Sequence, residues 1–566
     1  MPGEKSPSVL VVGAGVSGLR SALELADMGV SVYLVERLPS MGGLAGRLDR
    51  IGADPGDMAA SCEVAPLIDR VRRHRNITFV PNAELTKLEG EKGAFTAHIL
   101  KYPLRVTEEC DRCGVCVQVC PIKIYHEQNE GIGLRTAIDV ENPRSPCGNF
   151  NIETETPICQ QTCPVHIDIR RYVGLVASGR FEEALRTVRE RNPFPAVCGR
   201  VCHHPCEAAC NRGAEDEPIA IDAIKRFAAD YELGLRRQGK LLPPKPPARR
   251  NSARAAIVGA GPAGLTVAHD LALMGYGSTV FEKAPVPGGM LYLGIPEYRL
   301  PRDIIETEVD YIRALGVEIK LNTEVGTDPS IDDLLADGYR AVFLGVGAHR
   351  GLKLGIPGEE EYEGLLDCVE FLRGVNLGDR TRPADRVIVV GGGNSAIDSA
   401  RTALRLGCEK VTILYRRSRR EMPANPWEIE EAEHEGIDIH YLAAPVRILG
   451  EQGRVVGMIA TRMELGKPDA SGRRRPIPIE GSEFEIACDL IIPAISQQPD
   501  LDFLPQEHGL DISRWSSFIV DEETGETNRR RIFSGGDAVT GPATVIEAIA
   551  AGHRAAAAMA RYLAGG

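Results

Sequence analysis

The residues best suited to chemistry in this sequence are its cysteines, because eleven of the fifteen lie between Cys110 and Cys210. Most recur three or four positions apart, a spacing at which thiolates can converge on one metal centre. The first run also has the C-x2-C-x2-C-x3-C-P spacing of bacterial iron–sulfur ferredoxins. Disulfides would need an oxidising compartment, whereas the opening MPGEKSPSVLVVGAG leads straight into a predicted strand, so we expect no signal peptide. The pattern therefore favours iron–sulfur ligation over disulfides or zinc.

The chain opens with a predicted dinucleotide-binding β-α-β unit, SVLVVGAGVSGLRSALELADMGVSVYLVE. Gly13 and Gly15 permit a tight turn and close approach of a pyrophosphate, and Gly18 lets the helix pack on the strand. Glu36 stands where a carboxylate would bind a ribose hydroxyl. A Rossmann unit that has lost its ligand is the alternative, since no segment that could close over a flavin ring is evident before the cysteines begin.

A second unit of this kind follows a proline-rich linker and reads ARAAIVGAGPAGLTVAHDLALMGYGSTVFEK. Its turn and ribose positions are Gly259, Gly261, Gly264 and Glu282. Gly289 lies in the following VPGGMLYLGIP, which resembles the segment that lies along the flavin in glutamate synthase small subunits, and this resemblance implies a further FAD contact. Near the C-terminus, Gly536 and Asp537 precede an alanine-rich helix, so Asp537 is placed to bond the ribityl chain and the helix N-terminus to face the flavin.

A third unit, RVIVVGGGNSAIDSARTALRLGCEKVTILYRR, is inserted between these two FAD segments. Its turn contains Gly391 and Gly393, and Asn394 begins its helix. No acid follows the closing strand, where Arg416 and Arg417 stand instead. A carboxylate would favour NAD, whereas guanidinium groups suit the 2′-phosphate of NADP. A solvated pair of surface arginines is the alternative, but the sequence favours NADPH, with NADH still open.

From about residue 157 to 566 the sequence resembles the small subunit of glutamate synthase, on the motif CGRVC…CE…C and on YRRSRREMPANPWEIEEAEHEG. The resemblance implies an NAD(P)H:acceptor oxidoreductase with FAD and [4Fe–4S] clusters. The cluster ligands that it implies are Cys159, Cys163, Cys206 and Cys210. Relatives usually hold two clusters, but Asn151 and Thr154 replace two of the cysteines. A second cluster on Cys198 and Cys202, with Cys147, is left open.

From about Ser8 to Val140 the sequence resembles the A subunit of heterodisulfide reductase, on the Glu36 acid, the MGG turn and the position of the ferredoxin-like cysteine run. That resemblance implies a flavin-associated [4Fe–4S] cluster. Its ligands would be Cys110, Cys113, Cys116 and Cys120. Since the fourth cysteine of such a run can serve another cluster, Cys147 and Cys62 are the reserves. The segment around Cys62 has one cysteine where the family commonly has two.

The predicted fold is α/β. It combines a flavoprotein of two nested Rossmann-like dinucleotide-binding domains, an α-helical iron–sulfur domain, and an N-terminal truncated Rossmann-like module with a ferredoxin-like cluster loop. In chain order we predict an FAD-type module at 1–105, the ferredoxin-like loop at 106–150, the helical iron–sulfur domain at 151–237, a proline-rich linker at 238–254, the first FAD part at 255–375, the NAD(P)H-binding domain at 376–485 and the second FAD part at 486–566.

The net charge and the apolar runs of the sequence limit the classes of partner that we expect. A net charge of −13 argues against nucleic acid or an anionic membrane as the main partner. No apolar run approaches the ~18–20 residues of a membrane span. We expect a cytoplasmic protein that forms a hetero-oligomer with other redox subunits or exchanges electrons with a ferredoxin-like carrier.

The expected function follows from how the cofactors carry electrons. Beyond Lys240 no two cysteines have C-x-x-C spacing, which argues against a redox dithiol. Nicotinamides transfer two electrons as hydride and clusters transfer one, and a flavin converts between them. We therefore expect electron transfer between NAD(P)H, FAD and two or three [4Fe–4S] clusters, to or from a partner enzyme.

Two alternatives concern the N-terminal module. It could make the chain a flavin-based electron-bifurcating subunit with a second FAD, or it could be a docking scaffold without flavin. Because one β-α-β unit holds only the adenosine end of the cofactor, we expect the isolated chain to carry nearer one FAD than two. A second FAD should bind only when a partner, or the cluster domain packed against the module, completes the site.

Overall fold

The computed structural model describes residues 8–38, 40–43, 45, 60–91, 93–102, 116, 123–125, 134–136, 138–140, 150–152, 157–326, 328–469 and 472–565. Of the ligands predicted for the ferredoxin-like loop, Cys116 is described and exposed. Cys110, Cys113, Cys120 and Cys147 lie outside the described residues, as does the side chain of Cys62. The chain forms two units, Met1–Pro157 and Ile158–Gly566, and each is described by itself.

The N-terminal unit is built on a three-stranded parallel sheet in the order β1–β2–β3. Its strands are β1 Ser8–Val12, β2 Ser31–Val35 and β3 Ile77–Val80, and its helices are α1 Val16–Asp27 and α2 Ala60–Arg73. The helices pack on one face of the sheet, where Leu19 and Leu23 of α1 and Leu34 of β2 belong to one buried cluster. Three antiparallel pairs follow: β4 Ala83–Glu91 with β5 Ala94–Lys101, β6 Lys123–Tyr125 with β7 Leu134–Thr136, and β8 Ile138–Val140 with β9 Phe150–Ile152.

The second unit begins with a helical domain that carries the later cysteines. Its helices are α3 Ile158–Thr162, α4 Ile169–Ala177, α5 Phe181–Arg189, α6 Pro195–Val201, α7 Pro205–Ala208 and α8 Ile221–Arg237, with a 3₁₀ turn at Asn211–Ala214. The Asp168 carboxylate caps α4 by accepting the Arg171 N–H at 3.2 Å. Prolines start α6 and α7, where a missing N–H costs nothing. These short helices set the cysteines in and beside helix ends.

The FAD-type domain has a five-stranded parallel sheet in the order β12–β11–β10–β13–β24. The strands are β10 Arg254–Val258, β11 Gly277–Phe281, β12 Glu318–Lys320, β13 Tyr339–Leu344 and β24 Ile532–Ser534. The helices are α9 Pro262–Leu273, α10 Met290–Leu293, α11 Arg302–Ala314, α12 Ile331–Ala336, α16 Asp537–Thr540 and α17 Val545–Leu563. β24 comes from the end of the chain, so the domain is closed by its C-terminal segment as predicted.

The inserted domain has a four-stranded parallel sheet in the order β17–β16–β15–β22 and an antiparallel sheet beside it. The parallel strands are β15 Arg386–Val390, β16 Lys410–Tyr415, β17 Asp438–Tyr441 and β22 Leu490–Pro493. The antiparallel strands are β18 Ala443–Glu451, β19 Arg454–Pro468, β20 Arg474–Pro478 and β21 Phe484–Ala487. The helices are α13 Cys368–Asn376, α14 Asn394–Arg405 and α15 Pro426–His434, with a 3₁₀ turn at Arg419–Glu421.

The short antiparallel pair β14 Arg350–Gly351 and β23 Gln497–Gln498 lies where the chain leaves the FAD-type domain for the inserted domain and where it returns. The sequence-based bounds placed α13 and β22 outside the inserted domain. Their buried side chains instead pack in its core, with Leu372 and Ile492 against Val389 and Ile397. None of the helices described here has the length and apolar character that crossing a bilayer requires.

A buried carboxylate fixes the helical domain on the FAD-type domain. The Glu308 side chain of α11 accepts the N–H groups of Ala196 at 2.8 Å and Val197 at 3.1 Å, at the start of α6. These donors have no partner within α6, so Glu308 satisfies two groups that burial would otherwise leave unpaired. Burial raises the pKa of Glu308 to about 7 against the pull of these donors and of Arg189.

A second joint is centred on His553 of α17. Its imidazole bonds the Asp270 carboxylate through Nδ1 and donates from Nε2 to the Arg191 carbonyl at 2.9 Å. Burial alone would lower the pKa of His553, but the bond to Asp270 and its charge outweigh burial and raise the pKa. The imidazolium therefore links α17, α9 and the segment before α6.

This raised pKa predicts a loss of stability in alkaline solution. A histidine whose folded pKa exceeds its unfolded value contributes fully below about pH 6.5 and loses the contribution as pH rises through the folded pKa. His553→Gln should reduce the free energy of unfolding near about pH 6 by roughly 1 kcal/mol or more and flatten its decline toward about pH 9. Urea unfolding over this range is the measurement. The exposed His434→Gln serves as control, and an unchanged pH slope in His553→Gln would contradict the assignment.

Candidate active site

One cavity of about 730 Å³ is lined by three parts of the second unit. The FAD-type domain contributes Gly261 and Asp537, the inserted domain contributes Asn394 and Asp398, and the helical domain contributes His203. The volume lies in the range of small-molecule and cofactor sites. The cavity therefore joins the predicted flavin, nicotinamide and cluster regions.

The turn after β10 has the shape that a pyrophosphate needs. Gly259 has φ +100°, and a Cβ there would lie 2.4 Å from the Gly345 carbonyl oxygen. A Cβ on Gly264 would lie 2.1 Å from the carbonyl oxygen of Gly259. A Cβ on Gly261 would meet no atom within 4 Å, so this position faces open space at the N-terminus of α9. Two glycines thus allow the fold, and the third keeps room for a phosphate.

Glu282 stands at the end of β11, as predicted for a ribose-binding acid. One oxygen accepts the Ala260 N–H at 2.7 Å and the other accepts the Ala284 N–H at 2.8 Å. Burial raises the pKa of Glu282 although both donors favour the charged form. The carboxylate is therefore held in place before any ligand arrives.

The other end of the cavity is built from distant segments. Gly289 has φ +55°, and a Cβ there would lie 2.8 Å from the Cα of Gly261, so this turn rests on the phosphate turn. Asp537 follows Gly536, which has φ +67°, and accepts the Ala543 N–H at 3.2 Å. Burial raises the pKa of Asp537 to about 7. The structure thus brings Gly289 and Asp537 to the same cavity.

The α17 helix begins at this end of the cavity. Its first turn is closed by a capping box in which the Thr544 hydroxyl accepts the Glu547 N–H and the Glu547 carboxylate accepts the Thr544 N–H at 2.9 Å. Thr544 and Val545 line the cavity. The positive end of the helix dipole therefore faces the position predicted for the flavin.

The turn after β15 repeats the phosphate-turn geometry. Gly391 has φ +150°, and a Cβ there would lie 2.2 Å from the Ala494 carbonyl oxygen. Gly393 has only Pro423 Cγ near a Cβ, at 4.0 Å, so its position is open. Asn394 accepts the Asn425 N–H at 3.0 Å and lines the cavity. This turn can hold the second pyrophosphate.

The two arginines after β16 differ in their surroundings. Arg416 is exposed and makes no hydrogen bond or ion pair with the described residues. Arg417 is buried, donates to the Arg474 carbonyl at 2.8 Å and forms an ion pair with Asp469 at 2.8 Å. The predicted pair is therefore split, and Arg416 is the one whose guanidinium is free to meet a phosphate.

Buried ion pairs join the two nucleotide domains behind the cavity. Arg299, in the segment between α10 and α11, bonds Asp398 of α14 at 2.6 Å and lies 2.8 Å from Glu428 of α15. Arg401 bonds the other oxygen of Glu428 at 2.9 Å. Burial raises the pKa of Asp398 to about 7, although Arg299 beside it acts in the opposite direction. The second oxygen of Asp398 is buried and has no hydrogen-bond partner among the described residues.

The six cysteines of the helical domain lie around its core. Cys163, Cys198 and Cys206 are buried, whereas Cys159, Cys202 and Cys210 are half-buried. Burial raises the pKa of the thiols of Cys202 and, to about 12, of Cys206. Among the described residues no three histidine, cysteine, aspartate or glutamate side chains converge enough for a single metal ion.

The charges of some of these thiols affect the pKa of others. Cys206 is influenced by Cys163 and Cys202, and Cys202 by Cys163. Cys159 is influenced by Cys210. The predicted grouping of Cys159, Cys163, Cys206 and Cys210 around one cluster stays a prediction.

The N-terminal unit contains a half-site with the same geometry as that of Gly261. Gly13 has φ +98°, a Cβ on Gly18 would lie 1.8 Å from the Gly13 carbonyl oxygen, and a Cβ on Gly15 would meet nothing within 4 Å. The buried Glu36 accepts the Ala14 N–H at 2.6 Å and the Leu38 N–H at 2.9 Å. The structure therefore brings the four predicted residues together in one half-site, and its binding of phosphate and ribose stays a prediction.

Family models match three parts of the chain. The model for pyridine nucleotide-disulphide oxidoreductase matches residues 253–552, which is more than half of the chain. The chain belongs to the pyridine nucleotide-disulphide oxidoreductase family. Within this oxidoreductase, the model for dihydropyrimidine dehydrogenase domain II, 4Fe-4S cluster, matches residues 149–236, and the FAD binding domain model matches residues 8–47. The predicted flavoprotein fold and the FAD and [4Fe–4S] cofactor types are thus confirmed, and the ferredoxin-like loop at 106–150 stays a prediction.

Relatives of this oxidoreductase include chains of multi-subunit enzymes. It is 46% identical over 428 residues to the NADP(+)-dependent formate dehydrogenase subunit beta of Moorella thermoacetica, covering 72% of this chain and 60% of that one. It is 43% identical over 437 residues to the NADPH-Fe(3+) oxidoreductase subunit beta of Geobacter sulfurreducens, covering 73% and 64%. It is 35% identical over 437 residues to the glutamate synthase [NADPH] small chain of Escherichia coli, covering 74% and 89%. The matched region thus spans less than two thirds of the first two relatives.

The predicted likeness to glutamate synthase small subunits is confirmed by these relatives. The likeness of residues 8–140 to heterodisulfide reductase A stays a prediction. Sequence reasoning missed Arg299, Asp398, His203 and His349, all of which line the cavity. Asp398 could have been noticed as an acid on the helix that starts at the second glycine turn. His349, whose pKa burial lowers to about 4, carries no local signal.

The different surroundings of the two arginines predict different effects on nicotinamide preference. Arg416→Gln should raise KM for NADPH about tenfold or more, because a charge-assisted bond to the phosphate is lost, and leave KM for NADH unchanged. Arg417→Gln should affect both cofactors alike, since it removes the buried ion pair with Asp469 and the bond to the Arg474 carbonyl that hold this strand end. Steady-state kinetics with both cofactors are the measurement, with the exposed Arg420→Gln as control. Equal losses for NADPH and NADH in Arg416→Gln would count against a phosphate contact.

Proposed function

We propose that the chain passes electrons between NADPH, FAD and [4Fe–4S] clusters as one subunit of a larger redox enzyme. The observation that carries this proposal is the shared cavity. Its walls include Asp537 of the FAD-type domain, Asn394 of the inserted domain, and His203. Because His203 directly follows Cys202 in the sequence, a cluster bound by that thiol would lie next to the flavin position.

The side chains around the cavity would hold and orient both nucleotides. The open positions at Gly261 and Gly393 present the N-termini of α9 and α14 to the two pyrophosphates. The ion pairs of Arg299 with Asp398 and Glu428 fix the angle between the two domains, and so the positions of the two nucleotide turns. When bound, the flavin supplies the conversion between two-electron and one-electron transfer.

We propose one cluster on the thiols that influence one another electrostatically. These are Cys163, Cys198, Cys202 and Cys206. Cys159 and Cys210 form a separate pair that would need two further ligands. Asn151 and Thr154 stand where relatives commonly supply such ligands, which supports a single firm cluster in the helical domain.

Cysteine variants test the electron path and the grouping together. Cys202→Ser, Cys206→Ser and the double variant should each lose the same amount of iron, about four atoms per chain, because all remove ligands of one cluster. NADPH should still reduce FAD in all of them, while electron transfer to an external acceptor should fall. Iron analysis and rapid-mixing absorbance are the measurements, and the buried Cys408→Ser is the control. Twice the iron loss in the double variant would contradict the grouping, and intact transfer would contradict the path.

A buried lysine faces these thiols. Lys225 of α8 is 6% exposed and forms an ion pair with Asp222. Burial alone would lower the pKa of Lys225, but Asp222, Cys198 and Cys202 outweigh it and raise the pKa, so the ammonium keeps its charge. A fixed positive charge in a low-dielectric interior favours the more negative, reduced form of a thiolate-bound cluster.

Replacing this charge should therefore lower the reduction potential. Lys225→Met should shift the midpoint of the cluster downward by about 60 mV or more, which corresponds to a tenfold change in a one-electron equilibrium. Redox titration followed by electron paramagnetic resonance measures the shift. The exposed Lys240→Met should leave the potential unchanged. A potential that does not move in Lys225→Met, with full iron content, would show that the ammonium does not act on the cluster.

The partners and location are also proposals. Relatives are named as beta subunits and a small chain, which supports a hetero-oligomer with other redox subunits or exchange with a ferredoxin-like carrier. Free buried thiols and predicted clusters support a reducing, cytoplasmic location. For the second unit we propose a helical domain at 158–237, a linker at 238–253, FAD parts at 254–351 and 496–566, and an NADPH domain at 352–495. For the first we keep 1–105 and 106–150.

A second candidate function is favoured by the half-site around Gly15. If it holds another FAD, the chain has two flavins, as an electron-bifurcating subunit requires. FAD per chain in the intact complex, compared between wild type and Gly15→Val, separates this function from simple electron transfer. One FAD in both would leave the N-terminal module as a docking element.

A further inference from the structure

The N-terminal half-site repeats the first half of the FAD-type domain contact by contact. β2 lies between β1 and β3, as β11 lies between β10 and β12. Three backbone hydrogen bonds of the half-site have counterparts in the FAD-type domain. Gly42 N–H to Ala14 O at 2.8 Å corresponds to Gly288 N–H to Ala260 O at 2.8 Å, and Glu36 N–H to Val80 O at 3.0 Å corresponds to Glu282 N–H to Lys320 O at 2.8 Å. Asn82 N–H to Leu38 O at 3.1 Å corresponds to Asn322 N–H to Ala284 O at 3.2 Å. The FAD-type domain therefore shows what surrounds such a half when it is complete.

In the FAD-type domain, the outer edge of β10 is not free. β13 pairs with it in parallel, with Ala256 opposite Val342 and Val258 opposite Leu344. β24 then pairs with β13 and leads into Asp537 and α17. In the N-terminal unit, β1 takes the place of β10, but in the described residues it is the edge strand of its sheet. The described part of that unit thus has the first half of the domain and no counterpart of β13 and β24.

Side-chain exposure follows the same difference. Val12 is 59% exposed, whereas Val258 at the equivalent position is 6% exposed. Tyr33 is 47% exposed, whereas the equivalent Thr279 is 3% exposed. Val258 is covered by the core that β13, α12, Phe518 and β24 complete. Among the described residues, Val12 and Tyr33 thus leave apolar surface of β1 and β2 exposed where the equivalent positions of the FAD-type domain lie in or against a core.

We propose that a partner polypeptide adds a parallel strand to the β1 edge and covers Val12 and Tyr33. The partner would be the second half of a flavin domain: a strand, a glycine–aspartate turn and a helix whose N-terminus faces Gly15. The strand would be parallel because β13 is parallel to β10. The partner would supply to this half-site what Asp537 and α17 supply to the cavity of the second unit.

The corresponding segments of the FAD-type domain, β13, β24 and α17, are poor sources for this strand, whether from this chain or from a second copy. β13 is already paired on both sides, with β10 and β24, and the face of α17 is buried against α9. Using them would open the core of the FAD-type domain. An edge strand beside an exposed apolar face also invites strand addition in general, so a specific occupant has a reason to be present.

This surface is independent of the proposed path from NADPH to the cluster, which lies within residues 158–566. Either proposal can therefore fail alone. NADPH-driven reduction of the flavin in the second unit reports on the path, whereas contacts of Tyr33 report on the surface.

The test places a photoreactive residue on the exposed face. The full chain with Tyr33→p-benzoylphenylalanine, produced in its native host, is irradiated in the intact complex, and cross-linked peptides are identified by mass spectrometry. We expect the product to join Tyr33 to a peptide of another polypeptide that contains a strand followed by glycine–aspartate and a helix. The same residue at Met28, which is 77% exposed at the end of α1, should not join to that peptide.

The other outcomes overturn the proposal. These are a cross-link within residues 1–566 of the same chain, a cross-link between two copies, a partner peptide without the strand, turn and helix, and no product at Tyr33. Capture of another protein is thus insufficient unless the joined peptide has the expected architecture.

A charge on the same face gives a second measurement. Val12→Asp should weaken association of the cross-linked partner at least tenfold and speed amide hydrogen exchange in β1, while α1 stays protected and NADPH still reduces the flavin of the second unit. Met28→Asp should change none of these. Unchanged association and exchange in Val12→Asp would overturn the proposal, and protection of α1 separates this result from unfolding of the module.

Discussion

The cavity depends on the parallel pairing of β13 with β24, which returns the end of the chain to the first FAD segment. Val342, Phe343 and Leu344 pair with Ile532, Phe533 and Ser534, and the Ser534 hydroxyl donates to the Leu344 carbonyl at 2.7 Å. Only three residue pairs are involved, but they are buried and they deliver Asp537 and α17. Because the cost of closing a loop grows slowly with its length, an entire domain can stand between the paired segments.

Close packing of small residues fixes the position of α17 once the strands have met. A Cβ on Gly552 would lie 2.7 Å from the Ala263 carbonyl oxygen and 2.8 Å from Thr266 Cβ, so α17 and α9 approach more closely than larger residues would allow. A Cβ on Gly536 would lie 3.0 Å from Ala263 Cβ. The two helix N-termini thus reach the same cavity from opposite ends of the sequence.

The orientation of the inserted domain is set differently, by the buried ion pairs of Arg299 and by the stacking of His204 on Trp427 at 4.9 Å between ring centroids. Buried ion pairs repay little of their desolvation cost, so their effect here is to select one domain angle.

The sequence predicted those parts of the site that local geometry dictates. Gly264 and Glu282 act through contacts within one β-α-β unit and its flanking turn, so the local pattern of glycines and acid is sufficient to find them. The sequence pattern could not show that Arg416 and Arg417 have different roles, because the ion-pair partner of Arg417 lies on a hairpin 52 residues further along the chain. Glu308 and Asp398 were missed for the same reason: their roles depend on which helices meet across domain boundaries. The bounds of the inserted domain in the structure differ from the predicted ones, because α13 and β22 carry apolar faces that the core of either domain could have buried.

The buried thiols connect protein stability to cofactor assembly. Burial raises the pKa of Cys198 and Cys206, so without a metal these side chains are neutral and pack as small apolar groups. A cluster binds thiolates, so its insertion must release these protons and place negative charge in the domain core. Lys225 lies where it can offset that charge, and its ion pair with Asp222 keeps the ammonium balanced when no cluster is bound. Cluster assembly in this domain is therefore coupled to the loss of thiol protons, and Lys225 is the buried cation placed to balance the resulting charge.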